Sequence, residues 1–277
     1  MTSLIQTWRR RRWRPVPLSA GAAGLRPVAV VTGASEGIGR AFAFELARAG
    51  HDLLLVARSE APLEDTAVAV RAASGRRVEI VTADLSAPGF LAAIEDKLST
   101  VGAYPALLVN NAGMGLAGKF QKSDRAEVRR LIDLNMGALT ELTHWALSSM
   151  LDRGAGGIIN VSSVASFLPR GTYSAAKAWV TSFGQWAANE YAAQGITVLT
   201  LCPGFTRTEF HGRMGIGRDS APEFMWLESE FLIEQSLRDF DKGKVLSIPG
   251  AQYKTVTAVA RLLPRNLLQA YQSMGRK

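Results

Sequence analysis

The stretch VAVVTGASEGIGRAFAFEL, residues 28–46, joins two kinds of local structure. Its first five residues are small, aliphatic or β-branched, the pattern of a strand buried on both faces. Gly33, Ala34, Ser35, Glu36, Gly37, Ile38 and Gly39 then turn the chain into a helix that begins near Ile38 and sets Phe42 and Leu46 on one face. Glycines at a strand-to-helix turn let the backbone approach a pyrophosphate, whose charge sits against the free N–H groups and positive end of the helix. The turn reads as a nucleotide cradle.

Working outward, the same alternation repeats. Short apolar runs stand at 52–57, 78–83, 106–110, 157–162, 196–201 and 244–248, separated by stretches with helical apolar spacing. Gly50, Gly75 and Gly195 follow three of those stretches where a left-handed cap is expected, and Ser123 and Asp124 precede another as N-cap candidates. Strand, helix, strand repeated this often predicts an α/β fold, a doubly wound, mainly parallel seven-stranded sheet with helices on both faces. No Pro-, Gly- or Ser-rich linker divides residues 27–250, so 27–277 reads as one domain.

Composition bounds the function. The chain has 277 residues, 47% hydrophobic and 20% charged, which excludes wholesale disorder. No run of 18 apolar residues occurs, so no membrane-spanning helix is expected. A lone cysteine, Cys202, forbids an intrachain disulfide and points to a reducing, cytoplasmic setting. His51, His144 and His211 lie far apart without ligand spacing, so no metal site is expected. The net charge of +8 invites a nucleic-acid reading, but Arg9, Arg10, Arg11, Arg12, Arg14 and Arg26 supply +6 of it in an acid-free stretch. The remainder is nearly neutral, and no nucleic-acid partner is expected. Residues 1–26 read as a basic, flexible extension; with Trp8 and Trp13 among the arginines, contact with an anionic membrane surface is its alternative.

A second constellation is YSAAK, residues 173–177. Residues i and i+4 share a helix face, so the Tyr173 phenol and the Lys177 ammonium stand side by side. Coulomb attraction is expected to pull the phenol's pKa down from about 10, toward the range of a general acid/base. Ser162 and Ser163 close a predicted central strand just before it, and the carboxyl ends of such strands are where an open α/β sheet receives ligands.

These residues carry a resemblance. TGASEGIG (32–39), ADL (83–85), NNAG (110–113), Asn135, SS (162–163), YSAAK (173–177) and PGFTRT (203–208) stand in the order of the short-chain dehydrogenase/reductase family, over roughly residues 28–250. The resemblance implies a Rossmann-type fold and hydride transfer between a nicotinamide cofactor and a carbonyl or secondary alcohol. It implies Tyr173 as proton donor, Lys177 as holder of the ribose hydroxyls, Ser163 as donor to the substrate oxygen with Ser162 as alternative, and Asn135 as holder of a water leading to Lys177. It further assigns the cofactor to Gly33, Ser35, Glu36, Gly37, Ile38, Gly39, Arg58, Asp84, Leu85, Asn111, Ala112, Gly113, Tyr173, Lys177, Pro203, Gly204, Thr206 and Thr208. One departure stands out: the family commonly separates serine from tyrosine by thirteen residues, whereas Ser163 precedes Tyr173 by ten.

Ala57 is neutral where an acidic residue would bind the ribose of NAD, and Arg58 follows with a guanidinium suited to a 2′-phosphate. NADP is therefore favoured over NAD, with Glu36 arguing weakly the other way. Residues 205–240 correspond to a lid, and Phe210, Met214, Phe224, Met225, Trp226 and Phe231 within it suggest a hydrophobic ketone or alcohol as substrate. The basic helical tail, 251–277, can cover the site, meet a partner subunit or lie on a membrane. A homodimer or homotetramer is expected. The alternative function is a non-catalytic nucleotide-binding scaffold with the same fold.

Overall fold

Strands that are apolar along their whole length need neighbours on both edges and helices on both faces. In the computed structural model, which describes residues 24–116, 120–213, 217 and 221–262, they obtain both. Strands β1 (Arg26–Thr32), β2 (Asp52–Ala57), β3 (Val78–Thr82), β4 (Ala103–Asn110), β5 (Gly156–Val161), β6 (Ile196–Leu201) and β7 (Leu246–Ser247) form, among the described residues, a 7-stranded parallel sheet ordered β3-β2-β1-β4-β5-β6-β7. The order reverses between β1 and β4, which opens a crevice at the strands' carboxyl ends.

Alternate residues of each strand feed opposite layers. Ala29 and Val31 face α1 (Gly37–Arg48) and α2 (Glu60–Ser74), in a core that includes Phe42, Leu46 and Leu63. Val28 and Val30 face the layer of α3 (Phe90–Thr100), α5 (Leu139–Arg153) and α6 (Thr172–Tyr191), with Ile94, Leu142, Ala146 and Ala187. Between α4 (Arg125–Ile132) and α5 lies a π-helical turn, Asp133–Ala138. Asp124 caps α4 by accepting from the Ala126 N–H, and Gly50, Gly75 and Gly195 take positive φ at their helix ends, as expected.

Three boundaries move. β1 begins at Arg26, inside the stretch read as extension, because Arg26 pairs with Asp52 at 3.1 Å and donates to the Val101 carbonyl at 2.8 Å. Residues 1–23 lie outside the described residues. The run 244–248 yields only Leu246–Ser247 as strand, paired to β6. The lid is also shorter than 205–240. α7 (Glu209–Arg213) belongs to it, but α8 (Ser229–Asp241) buries Leu232, Ile233, Leu237 and Phe240 in the α1 layer. Each such side chain contributes about 1.5–3 kcal/mol on burial, so α8 is core. α9 (Ala251–Leu262) docks Tyr253, Thr257 and Ala260 inward, one face of a helix. The rest of the basic tail, 263–277, is outside the described residues.

Candidate active site

The glycine turn forms as the spacing predicts. Gly33 has φ +64°, and a Cβ on Gly39 would stand 2.1 Å from the Gly33 carbonyl oxygen, so only glycine lets α1 approach the turn this closely. At the N-terminus of α1 the Glu36 side chain makes no capping hydrogen bond, which leaves the first turn's N–H groups suited to an anion. A cleft of about 630 Å³ runs outward from here along α1, lined by Ser35, Glu36, Gly37, Arg40 and Arg207 among others. Ser163, Tyr173 and Lys177 are not among its lining residues.

Thr32, quoted within the turn motif but given no role there, ties the neighbouring segment in place. Its hydroxyl accepts from the Asn111 and Ala112 N–H groups, each at 3.0 Å, and donates to the Val109 carbonyl. The Asn111 amide donates to the Thr32 and Gly33 carbonyls at 2.8 and 3.1 Å, so its side chain braces the turn. Ile38 packs on the core and Leu85 is buried. Asp84 is held by Ser86, which donates both N–H and hydroxyl, and by Arg130 at 2.6 Å. Burial opposes its charge, yet these donors and the nearby Arg58 keep the carboxyl below its usual range. Arg58 itself is exposed just beyond β2.

Tyr173 and Lys177 lie on α6 as one face, but their electrostatics differ from expectation. Lys177 Nζ donates to the Val161 carbonyl at 2.8 Å and stands 5.9 Å from the centre of the Tyr173 ring. Burial pushes the phenol up to about 12, against a hydrogen bond from Ser163, and pulls the ammonium down to about 8. Burial, not the Coulomb attraction read from the spacing, therefore sets both directions. Tyr173 is an acid that keeps its proton at neutral pH.

The two serines separate because successive strand-end residues point to opposite sides. Ser162 is buried, donating to the Lys177 carbonyl at 2.7 Å and paired with the Thr181 hydroxyl at 2.7 Å. Ser163 faces the Tyr173 phenol and accepts from the Ala165 N–H at 3.1 Å. Ser163, not Ser162, therefore borders the Tyr173 phenol. Thr181 had no signal in the sequence beyond being one turn past Lys177.

Asn135 lies in the π-helical turn, where its amide donates to the Met114 and Leu131 carbonyls, each at 2.9 Å. Its Oδ1 is buried and has no hydrogen-bond partner among the described residues. A Cβ on Gly113 would stand 2.7 Å from that oxygen and 3.3 Å from Lys177 Nζ, so Gly113 runs between the two groups. A buried acceptor left unpaired beside an ammonium is the setting of a bridging water.

The segment 203–208 closes the site. The Pro203 carbonyl accepts from the Val164 N–H at 2.9 Å, Gly204 lies under the Tyr253 ring, and Thr206 is buried with its hydroxyl on the Gly204 carbonyl. Thr208 comes to 3.2 Å from where a Gly37 Cβ would stand, so this segment meets the glycine turn. Of the large lid side chains, Phe210 reaches Tyr173, with ring centres 5.8 Å apart, and Trp226 packs on Phe205 at 5.3 Å. Phe224 and Phe231 are exposed and Met225 packs on the core; Met214 lies outside the described residues. Among the described residues no group of three or more His, Cys, Asp or Glu side chains could hold a metal ion, and no helix is long and apolar enough to cross a membrane.

Known proteins match this arrangement. Over residues 27–219 the chain matches the family described as short chain dehydrogenase. Human 17-beta-hydroxysteroid dehydrogenase type 3 is 34% identical over 180 residues, covering 63% of this chain and 57% of that protein, so the chain spans little more than half of that relative's length. A short-chain dehydrogenase from Sphingobium yanoikuyae, solved in complex with NADPH, is 37% identical with a TM-score of 0.76, covering 85% of this chain and 94% of that one. The bulky-bulky ketone specific alcohol dehydrogenase from Comamonas testosteroni is 31% identical with a TM-score of 0.72, covering 88% and 94%. The family match runs unbroken from β1 past Thr208 and so takes in the glycine turn, Ser163, Tyr173 and Lys177; the chain belongs to the short-chain dehydrogenase family of oxidoreductases.

Proposed function

We propose that the protein is an NADPH-dependent reductase of bulky hydrophobic ketones. The observation that carries the chemistry is Tyr173, half-buried and still protonated, with Ser163 on its hydroxyl and Lys177 one turn along the same face. When bound, a nicotinamide cofactor supplies the hydride. Tyr173 gives its proton to the substrate oxygen, Ser163 donates a hydrogen bond to that oxygen, and the charge on Lys177 favours the phenolate left behind. Asn135 Oδ1 holds a water toward Lys177 for proton resupply. The glycine turn and the N-terminus of α1 receive the pyrophosphate, and the segment 203–208 receives the nicotinamide end.

Two guanidiniums, Arg58 and Arg130, bear on Asp84, and this local excess of positive charge favours a 2′-phosphate. The phenyl group of Phe210 on Tyr173 supports an apolar substrate, as do the bulky-ketone and hydroxysteroid activities named for two relatives. Trp186, half exposed and packed on Phe183, supports self-association as a dimer or tetramer, which light scattering measures. Residues 251–277 carry no acidic side chain, which supports peripheral contact with an anionic membrane, tested by liposome flotation.

Steady NADPH oxidation with a panel of bulky ketones tests the reading. No turnover on any of them, with cofactor bound, leaves the non-catalytic nucleotide-binding reading instead. The pH profile is a sharper check. Lys177 is cationic below about 8 and neutral above, so kcat/KM for reduction is expected to be flat on the acid side and to fall through a single ionisation near 8. A fall centred near the ordinary lysine value of about 10.4 contradicts the burial argument.

A further inference from the structure

We infer that Tyr253, from the C-terminal helix α9, is a positioning residue that holds the neck of the lid closed and so sets where Thr208 and Phe210 stand. The inference rests on the reductase reading for its functional meaning and on hydrogen bonds for its geometry.

The lid leaves the sheet through Phe205–Arg207 and returns through Met225–Leu227. The two segments pair: the Leu227 N–H donates to the Phe205 carbonyl at 2.9 Å, and the Arg207 N–H donates to the Leu227 carbonyl at 3.0 Å. Tyr253 bridges the same segments from inside. Its hydroxyl accepts from the Phe205 N–H at 2.8 Å and donates to the Met225 carbonyl at 2.5 Å. Its ring is 1% exposed and lies where a Cβ on Gly204 would be 2.0 Å away. Gly204 is therefore required by this packing, independently of any cofactor.

From outside, Arg207 pairs with Glu223 and with Glu228, the latter at 2.7 Å. The neck is thus held on both sides. Beyond it, Thr208 reaches the glycine turn and Phe210 reaches the Tyr173 ring. A phenol whose donor and acceptor capacity both go to backbone groups of another segment orients that segment. Removing the hydroxyl leaves two backbone groups of the lid without their partner, whereas the ring packing of α9 survives.

Tyr253→Phe tests this. Loss of the two bonds is expected to speed tryptic cleavage of the chain between Arg207 and Met225 by about five- to tenfold and to raise KM for bulky ketones by about the same factor. The change in kcat stays within about threefold, and the cofactor still binds. Arg207→Gln, a surface change that releases the outer clamp, is expected to move both readouts the same way by about twofold; it decides the matter if Tyr253→Phe does not fold. Unchanged lid cleavage and KM, with only a lower Tm in Tyr253→Phe, or no movement in Arg207→Gln, overturns the inference. Cleavage needs no turnover, so failure of the ketone panel counts against the reductase reading while the lid measurement still judges this one.

Discussion

Tyr173→Phe is expected to lower kcat by about 10²–10⁴-fold while leaving cofactor affinity almost unchanged, since a general acid contributes on that order. On the proposed mechanism the phenol carries the proton that the substrate oxygen needs. Its ring packs beside Phe210 and remains in the variant, so little binding surface is lost. Lys177 keeps its bond to the Val161 carbonyl, which does not involve Tyr173, and the α6 face stays formed. The loss therefore falls on kcat and equally on kcat/KM, the signature of an interaction made in the transition state. Retention of more than about a tenth of the activity excludes Tyr173 as the proton donor. Cofactor affinity, read by fluorescence titration, separates this outcome from misfolding.

Arg58→Ala is expected to weaken NADPH binding by about 10–100-fold and to leave NADH binding nearly as it was. A guanidinium on a phosphate is a charge-assisted contact worth about 1.5–3 kcal/mol, which converts to that range. Arg58 is exposed just beyond β2 and its charge bears on Asp84, so its truncation removes no buried side chain. Arg130 remains on Asp84 and retains part of the local positive charge. On the same proposal a carboxylate at Glu36, in the glycine turn, opposes a 2′-phosphate, and Glu36→Arg is expected to widen the preference. Equal weakening of both cofactors in Arg58→Ala means that the residue serves the fold or the adenine, and the NADPH assignment falls.

The parts legible in the sequence are those whose geometry is local. The glycine turn, the i, i+4 placement of Tyr173 and Lys177 and the alternation of strands with helices depend on spacing over a few residues, and all three stand as read. Where the structure departs from the local reading, the cause is a partner distant along the chain. α8 reads as lid because its aromatic and aliphatic residues follow the segment 203–208; in the fold they fill the core against α1, which the periodicity of α8 alone does not reveal. Arg26 reads as tail because its neighbours are arginines, yet its partner Asp52 lies 26 residues away. Tyr253 gave no signal because the N–H it accepts from belongs to a residue 48 positions earlier.

Fold class, the glycine turn and the pairing of a phenol with an ammonium on one helix face are legible in the residues alone, because backbone dihedrals and side-chain direction follow from neighbours close along the chain. Tertiary structure alone decided which serine borders the phenol, what Lys177 donates to and the direction in which Tyr173 is shifted. Those depend on which distant segments exclude water from the site and which carbonyls they bring to it. Desolvation and long-range hydrogen bonds are sums over the packed neighbourhood, and on Tyr173 and Lys177 burial sets the direction of shift where spacing predicts Coulomb attraction.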